Sequence, residues 1–132
     1  MDLDISSLVA ALASLEKAVV RSRSSPEDEE VRDAVIQRFE YTIDLSWKMM
    51  QRILKQSTVQ ETTLRTKRDL FRETARLGLI DDPERWFRFL EARNETSHTY
   101  KREVAVRVYE QALIFVQDAR GFVERLAGMT DA

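Results

Sequence analysis

The chain has 132 residues, 43% of them hydrophobic and 33% charged, with three Gly, two Pro and no Cys. That length suits one core rather than two, and so little Gly and Pro leaves scant material for the tight turns of a β protein. Without cysteine there are no disulfides or thiolate metal centres, and a formal charge of −2 gives no overall pull toward nucleic acid.

The charge is unevenly spread. Basic side chains outnumber acidic ones over 52–107, and acidic ones prevail over 1–51 and 108–132. A local positive field in the middle of the chain could draw phosphate despite the acidic total, although Arg-rich helices ordinarily have solvated faces. No run approaches the roughly 20 apolar residues that span a bilayer. The opening MDLDISSLVAALASLEK lacks the basic start and cleavage pattern of a signal peptide, so a cytoplasmic location without membrane contact is expected.

In chain order, Ile5, Leu8, Leu12, Leu15 and Val19 recur three and four apart, which predicts a first helix ending near RSRSS. Ser25-Pro26-Glu27-Asp28 offers a cap, a proline for the first helical position and acids for the first turn, so a second helix is expected to begin there. It continues to about Gln56 with Ile36, Phe39, Ile43, Trp47, Met50 and Leu54 on one row, and Leu45, Met49 and Ile53 on another. Two rows imply more than one neighbour, as in a bundle or at a subunit interface. Aromatic and methionine stripes at this spacing are core, so Phe39, Trp47 and Met50 are assigned to packing.

STVQETTL breaks the pattern and reads as a loop. Thr66 and Asp69 form a capping box for a short third helix through Leu77, and Gly78 can take the left-handed position behind it, with Leu79 and Ile80 packing back. Asp82-Pro83-Glu84 starts a fourth helix. A fifth spans roughly 102–127 with Ala105, Tyr109, Ala112, Val116, Ala119, Val123 and Leu126 inward. No repeat, low-complexity run or useful strand alternation interrupts this order. The fold predicted is all-α, an up-and-down antiparallel bundle of four to five helices in one domain, residues 1–132.

The fourth helix carries a conflict. Trp86, Phe89, Leu90 and Arg93 follow the apolar spacing, so Arg93 stands where a hydrophobic residue belongs. A guanidinium there needs anionic partners or an opening to solvent, and Glu91 or Glu95 could supply a plain ion pair. His98, the single histidine, lies five residues on, about 140° around an ideal helix. For both to address one ligand the helix must loosen near ETSH, or two subunits must combine their sites. Thr96, Ser97 and Thr99 make a helix end plausible there, because their hydroxyls compete for backbone bonds. Taken alone, such a histidine is a surface or capping residue, with only its near-neutral titration to suit it to acid or base work. There is no Gly-rich phosphate loop, no second His for a metal and no Ser with a persuasive base.

Arg93-Asn94-Glu95-Thr96-Ser97-His98-Thr99-Tyr100 resembles the R-x4-H-x-Y signature of HEPN proteins, in particular the HepT type, also called the nucleotidyltransferase substrate-binding subunit family. IQRFEYTIDLSWKMMQ at 36–51, FRETARLGLIDDPERWFRFLEARNETSHTY at 71–100 and the following VAVRVYE resemble the family's other recurring stretches. The similarity runs from about Glu30 onward. It implies a toxin of a toxin–antitoxin pair: a metal-independent endoribonuclease without cofactors, commonly a homodimer or a higher heteromer with its antitoxin. That antitoxin would be a cognate minimal nucleotidyltransferase, neutralising the toxin by transfer of AMP to Tyr100. The resemblance makes Arg93 and His98 catalytic and Asn94 supporting, with RNA as substrate. A second reading is a non-catalytic subunit that docks the nucleotidyltransferase and presents its substrate. Glu95 and Lys101 depart from the family pattern, which has an apolar residue and an acid there. Glu95 could pair with Arg93 and weaken RNA binding, whereas Lys101 and Arg102 would attract phosphate.

Overall fold

The computed structural model describes residues 3–56 and 66–130, and the loop expected at STVQETTL lies outside them. Among the described residues the chain forms α1 (Ser6–Ser24), α2 (Glu29–Lys55), α3 (Lys67–Arg76), α4 (Pro83–Asn94), a single 3-10 turn (Thr96–His98) and α5 (Arg102–Thr130). The architecture is the all-α, up-and-down helical bundle. No described helix is long and apolar enough to cross a membrane.

Local chemistry sets the boundaries. α2 begins later than expected: Asp28, rather than Ser25, is its cap, accepting from the backbone N–H groups of Glu30 at 3.0 Å and Val31 at 3.3 Å. Ser25 and Pro26 belong instead to the reverse turn between α1 and α2, closed by the N–H of Asp28 donating to the Ser25 carbonyl at 3.0 Å. A carboxylate that satisfies two orphan donors outcompetes a serine followed by proline, and its charge complements the helix dipole.

The expected capping box at α3 is present, with Asp69 N–H donating to Thr66 Oγ1 at 3.1 Å and Thr66 N–H to Asp69 Oδ2 at 3.2 Å. α3 stops at Gly78, whose φ of 79° is left-handed. The N–H of Leu79 bonds the Thr74 carbonyl at 3.2 Å and that of Gly78 the Ala75 carbonyl at 2.9 Å, a Schellman closure that also turns Leu79 and Ile80 into the core. Asp82 caps α4 with Pro83 at its first position, as the sequence predicts.

The buried residues form one hydrophobic cluster drawn from all five helices. Phe115 is its centre. Its ring meets Phe39 at 5.2 Å, Phe89 at 5.2 Å and Trp86 at 5.5 Å, all edge-to-face. Each such pair contributes about 1 kcal/mol beyond its buried area. The inward arc of α5 is broader than the expected row, because Val108, Phe115 and Phe122 are buried beside Ala105, Ala112 and Ala119, and Tyr109 and Val116 sit only partly covered at its margin. Tyr109 uses that position to share a 2.8 Å hydrogen bond with Ser22 of α1. On the surface Arg85 of α4 donates to both carboxylate oxygens of Asp118 on α5 at 2.7 Å. These contacts fix α4 against α2 and α5, and so fix where its C-terminal end emerges.

Candidate functional site

α4 ends where the sequence sets hydroxyls against the helix. Thr96 Oγ1 donates to the Arg93 carbonyl at 2.8 Å and Thr99 Oγ1 to the Thr96 carbonyl at 3.2 Å. Each hydroxyl reaches three residues back, and the backbone tightens from α4 into the 3-10 turn Thr96–His98 before restarting as α5. The loosening expected near ETSH is therefore present. Asn94, Ser97, His98 and Tyr100 are exposed around it, Tyr100 at 78%.

Arg93 lies half-buried on the face of α4 that turns toward α2. Its Nε donates to Asp44 Oδ1 at 3.0 Å and its Nη2 to Asp44 Oδ2 at 3.1 Å, a two-pronged grip from the middle of α2. Nη1 donates to Thr96 Oγ1 at 3.2 Å, and Glu40 stands 3.9 Å from Nη2. The Asp44 hydrogen bonds raise the pKa of Arg93 above the ordinary guanidinium value; partial burial opposes the shift, and the charges of Asp44 and Glu40 reinforce it. The Trp47 indole N–H also donates to Asp44 Oδ1, at 3.4 Å, with the Lys67 ammonium 4.4 Å above the Trp47 ring centroid. Trp47 is thus partly core and partly a support for the carboxylate that orients Arg93.

The carboxylates that answer Arg93 are not the ones expected. Glu91 pairs with Arg68 and Glu95 with Arg107, each at 3.4 Å. Both point sideways from α4 and leave Arg93 to Asp44 and Glu40. Sequence reasoning misses those two acids because the Arg93–Asp44 contact spans 49 residues. A local signal exists, since Glu40 and Asp44 are one turn apart beside Ile36, Ile43 and Trp47, at the margin of a buried arc.

Arg93 has a guanidinium with five N–H donors. Three are committed to Asp44 and Thr96, which leaves two to meet a ligand with the plane of the fork already fixed. The His98 ring pairs with the Tyr100 ring at 6.3 Å, near edge-on. Lys101 follows, its ammonium 5.9 Å from the Tyr100 ring centroid. Among the described residues no hydrogen bond joins the Arg93 guanidinium to His98. The structure brings the rings of His98 and Tyr100 together at the end of the 3-10 turn and holds Arg93 five residues before His98, with Asn94 exposed as the last residue of α4. A cavity of about 280 Å³ opens between α4 and α5, lined by Glu95 and Arg107 but by neither Arg93 nor His98. No three His, Cys, Asp or Glu among the described residues gather as a metal would require.

A family model described as "Nucleotidyltransferase substrate binding protein like" matches residues 3–128. A Haemophilus influenzae protein named probable ribonuclease HepT is 36% identical over 134 aligned residues, covering 94% of this chain and 92% of the relative. Among solved structures, a Haemophilus influenzae protein described as having the fold of a substrate binding domain of a nucleotidyltransferase superimposes with a TM-score of 0.86 at 34% identity, over 94% of this chain and 99% of that one. A crystal structure of a Thermus thermophilus protein superimposes with a TM-score of 0.75 at 26% identity, over 90% and 98%. The family model spans α1 to α4 with the terminal turn, and α5 up to residue 128, and the chain belongs to the nucleotidyltransferase substrate binding protein-like family.

Proposed function

We propose that this protein is a metal-independent endoribonuclease of the HEPN type, the toxin of a toxin–antitoxin pair, acting in the cytoplasm as one domain over residues 1–132. The observation that carries the reading is Arg93, a cation on a core-facing stripe whose guanidinium is oriented by Asp44 and Thr96, five residues before an exposed His98. The similarity to a protein named a probable ribonuclease supports the reaction class.

In this mechanism the substrate's own 2′-hydroxyl attacks the adjacent phosphorus, the P–O5′ bond breaks, and a 2′,3′-cyclic phosphate and a free 5′-hydroxyl result. His98 takes the proton from the 2′-hydroxyl or gives one to the leaving 5′-oxygen, and in a homodimer the two copies supply both roles. Arg93 directs its remaining N–H groups at the charge growing on the phosphate oxygens. Asn94 orients the phosphate. Asp44 is a positioning residue, holding the fork so that little reorganisation is left to binding.

The partner is a cognate minimal nucleotidyltransferase acting as antitoxin, a reading supported by the family description and by the substrate-binding description of the superimposed structure. The Tyr100 hydroxyl, on a side chain 78% exposed, attacks the α-phosphorus of ATP, pyrophosphate leaves, and AMP remains on the tyrosine. Its phosphate and bulk beside the site then exclude RNA.

A second reading is favoured by one observation: Asp44 and Glu40 both stand against Arg93, so the local charge there is not positive. Under that reading the chain is a non-catalytic subunit that docks the nucleotidyltransferase. One experiment separates the two. Purified protein incubated with RNA, with and without EDTA, cleaves it equally under the first reading, and His98→Ala abolishes cleavage; RNA left intact by the wild type leaves the docking subunit. Incubation with the partner and ATP raises the mass by adenylyl units, and Tyr100→Phe abolishes the gain; an unchanged wild-type mass removes the modification.

A further inference from the structure

Lys17 and Arg21 stand one turn apart on the outer side of α1, and Arg38 of α2 reaches the same groove. Nη1 of Arg38 donates to the backbone carbonyl of Ser14 at 3.1 Å, which pins that guanidinium against α1. The three cations line an opening of about 430 Å³ whose other lining residues are Ala13, Ser14 and Ala18. No carboxylate lines it, and among the described residues none of the three cations has a carboxylate within ion-pair distance.

Most other described arginines meet acids, among them Arg68 with Glu91, Arg85 with Asp118, Arg93 with Asp44, Arg107 with Glu95, Arg120 with Glu16 and Arg125 with Asp81, and those that do not, such as Arg23 and Arg88, do not share a carboxylate-free groove with two further cations. In a chain with more acids than bases, three cations left together over a floor of methyl and hydroxymethyl groups form a local exception. Small floor residues let a phosphate approach the charged heads closely, and one head is already held in place. None of the six lining residues is aromatic or a large aliphatic of the kind that anchors a protein helix, and Tyr41, whose hydroxyl donates to Ser14 Oγ at 2.9 Å, stands at the margin as a ring on which a base can stack, so the occupant indicated is a single-stranded sugar–phosphate backbone.

A second lobe of about 250 Å³ shares Ala18, Arg21 and Arg38 and runs toward Asp28 and Glu30, whose charges turn a polyanion back. The bound strand therefore lies at the Lys17 end. Positions 38 and 44 of α2 are six residues apart, about 120° around the helix, so the groove lies on a different flank of α2 from the carboxylate that holds Arg93.

We infer that the α1–α2 groove is a second RNA-backbone site, in which Lys17, Arg21 and Arg38 take phosphates of single-stranded RNA away from the scissile one. This rests on the ribonuclease reading above. It sets affinity for long RNA and leaves the chemical step to Arg93 and His98.

The test is the salt dependence of binding to a labelled single-stranded 20-mer, measured on the His98→Ala background. Each phosphate contact adds about 0.7 to the slope of log affinity against log salt for single strands. Lys17→Ala/Arg21→Ala should lower that slope by about 1.4, whereas Arg23→Ala, an exposed cation on α1 outside the groove, should leave it unchanged. On the active chain the double variant should raise KM for the 20-mer about tenfold and leave dinucleotide cleavage unaltered. Equal slopes for the double variant and its background, or an Arg23→Ala change as large per residue, would overturn the site while Arg93 and His98 keep their roles. Unchanged slopes with lost co-purification of the nucleotidyltransferase would give the groove to that protein and overturn the RNA assignment. No binding or cleavage of any RNA by the wild type would remove the ribonuclease reading and this site with it.

Discussion

Asp44 grips Arg93 through two hydrogen bonds of 3.0 and 3.1 Å, one to each carboxylate oxygen, and the pair ties the middle of α2 to the last turn of α4. The contact joins a structural requirement to a functional one. A guanidinium on a core-facing stripe is tolerated because a carboxylate meets it, and the same carboxylate fixes the direction of the N–H groups that remain.

Arg93→Lys tests whether geometry or charge matters. An ammonium keeps the cation but cannot fork across Asp44 and present further donors in one plane. Cleavage is expected to fall about 10²- to 10³-fold in kcat with a Tm within a few degrees of wild type. Single-turnover kinetics and thermal unfolding check both halves. The raised pKa of Arg93 means its contribution to stability is fully present below the ordinary guanidinium range and is lost only above it. Arg93 therefore adds no inflection to a pH–rate profile between about pH 5 and 9.

Asp44→Ala removes the orienting carboxylate. With both groups partly exposed, the stability lost is about 1 kcal/mol, roughly a 3 °C fall in Tm for a chain of this size. Activity should fall more than that figure suggests, by about tenfold or more, because Arg93 then keeps Thr96 as its single hydrogen-bond partner among the described residues. Denaturant titration beside RNA cleavage separates the two effects.

Thr96→Val removes one hydroxyl while preserving shape. The lost bonds to the Arg93 carbonyl and from its Nη1 are expected to cost about 1 kcal/mol and to loosen the turn that carries His98. Hydrogen exchange at the amides of His98 and Lys101, whose bonds to Glu95 and His98 close that turn at 2.9 and 3.1 Å, should quicken.

Gly78→Ala isolates a backbone effect. A Cβ at Gly78 meets nothing within 4 Å, yet φ is +79°. The expected destabilisation of about 1 kcal/mol is conformational alone, and cleavage should be unchanged because the closure lies at the far end of α4 from the site. Phe115→Ala, by contrast, empties the centre of the aromatic cluster and should cost about 3 to 5 kcal/mol, measurable as a large fall in denaturation midpoint.

The features legible in the sequence are those set by neighbours in the chain. Thr66 with Asp69, Gly78 with Leu79, and Asp82 with Pro83 each close a helix end through contacts a few residues long, and all three stand as read. Ser25 misleads because Asp28, read as an acid of the first turn, takes the cap three residues on, and where the helix starts depends on how tightly α1 turns into α2. Phe115 and Phe122 escape a reading by periodicity because α5 is apolar over a wide arc, and which part faces inward is decided by Trp86 and Phe89 of α4. Arg93 is marked by its place on an apolar stripe, but its partner is not, because pairing α2 with α4 is a property of the fold. The His98–Tyr100 spacing is visible in the sequence; that the two rings meet edge-on requires the 3-10 turn.

The most direct measurement of the central claim is the chemistry of the cut ends. If Arg93 and His98 act on a phosphate attacked by its own 2′-hydroxyl, RNA cut by the purified protein carries 2′,3′-cyclic phosphate and 5′-hydroxyl ends, and His98→Ala of unchanged helicity by circular dichroism yields none. Ends bearing 5′-phosphate and 3′-hydroxyl, or equal cleavage by His98→Ala, would contradict it.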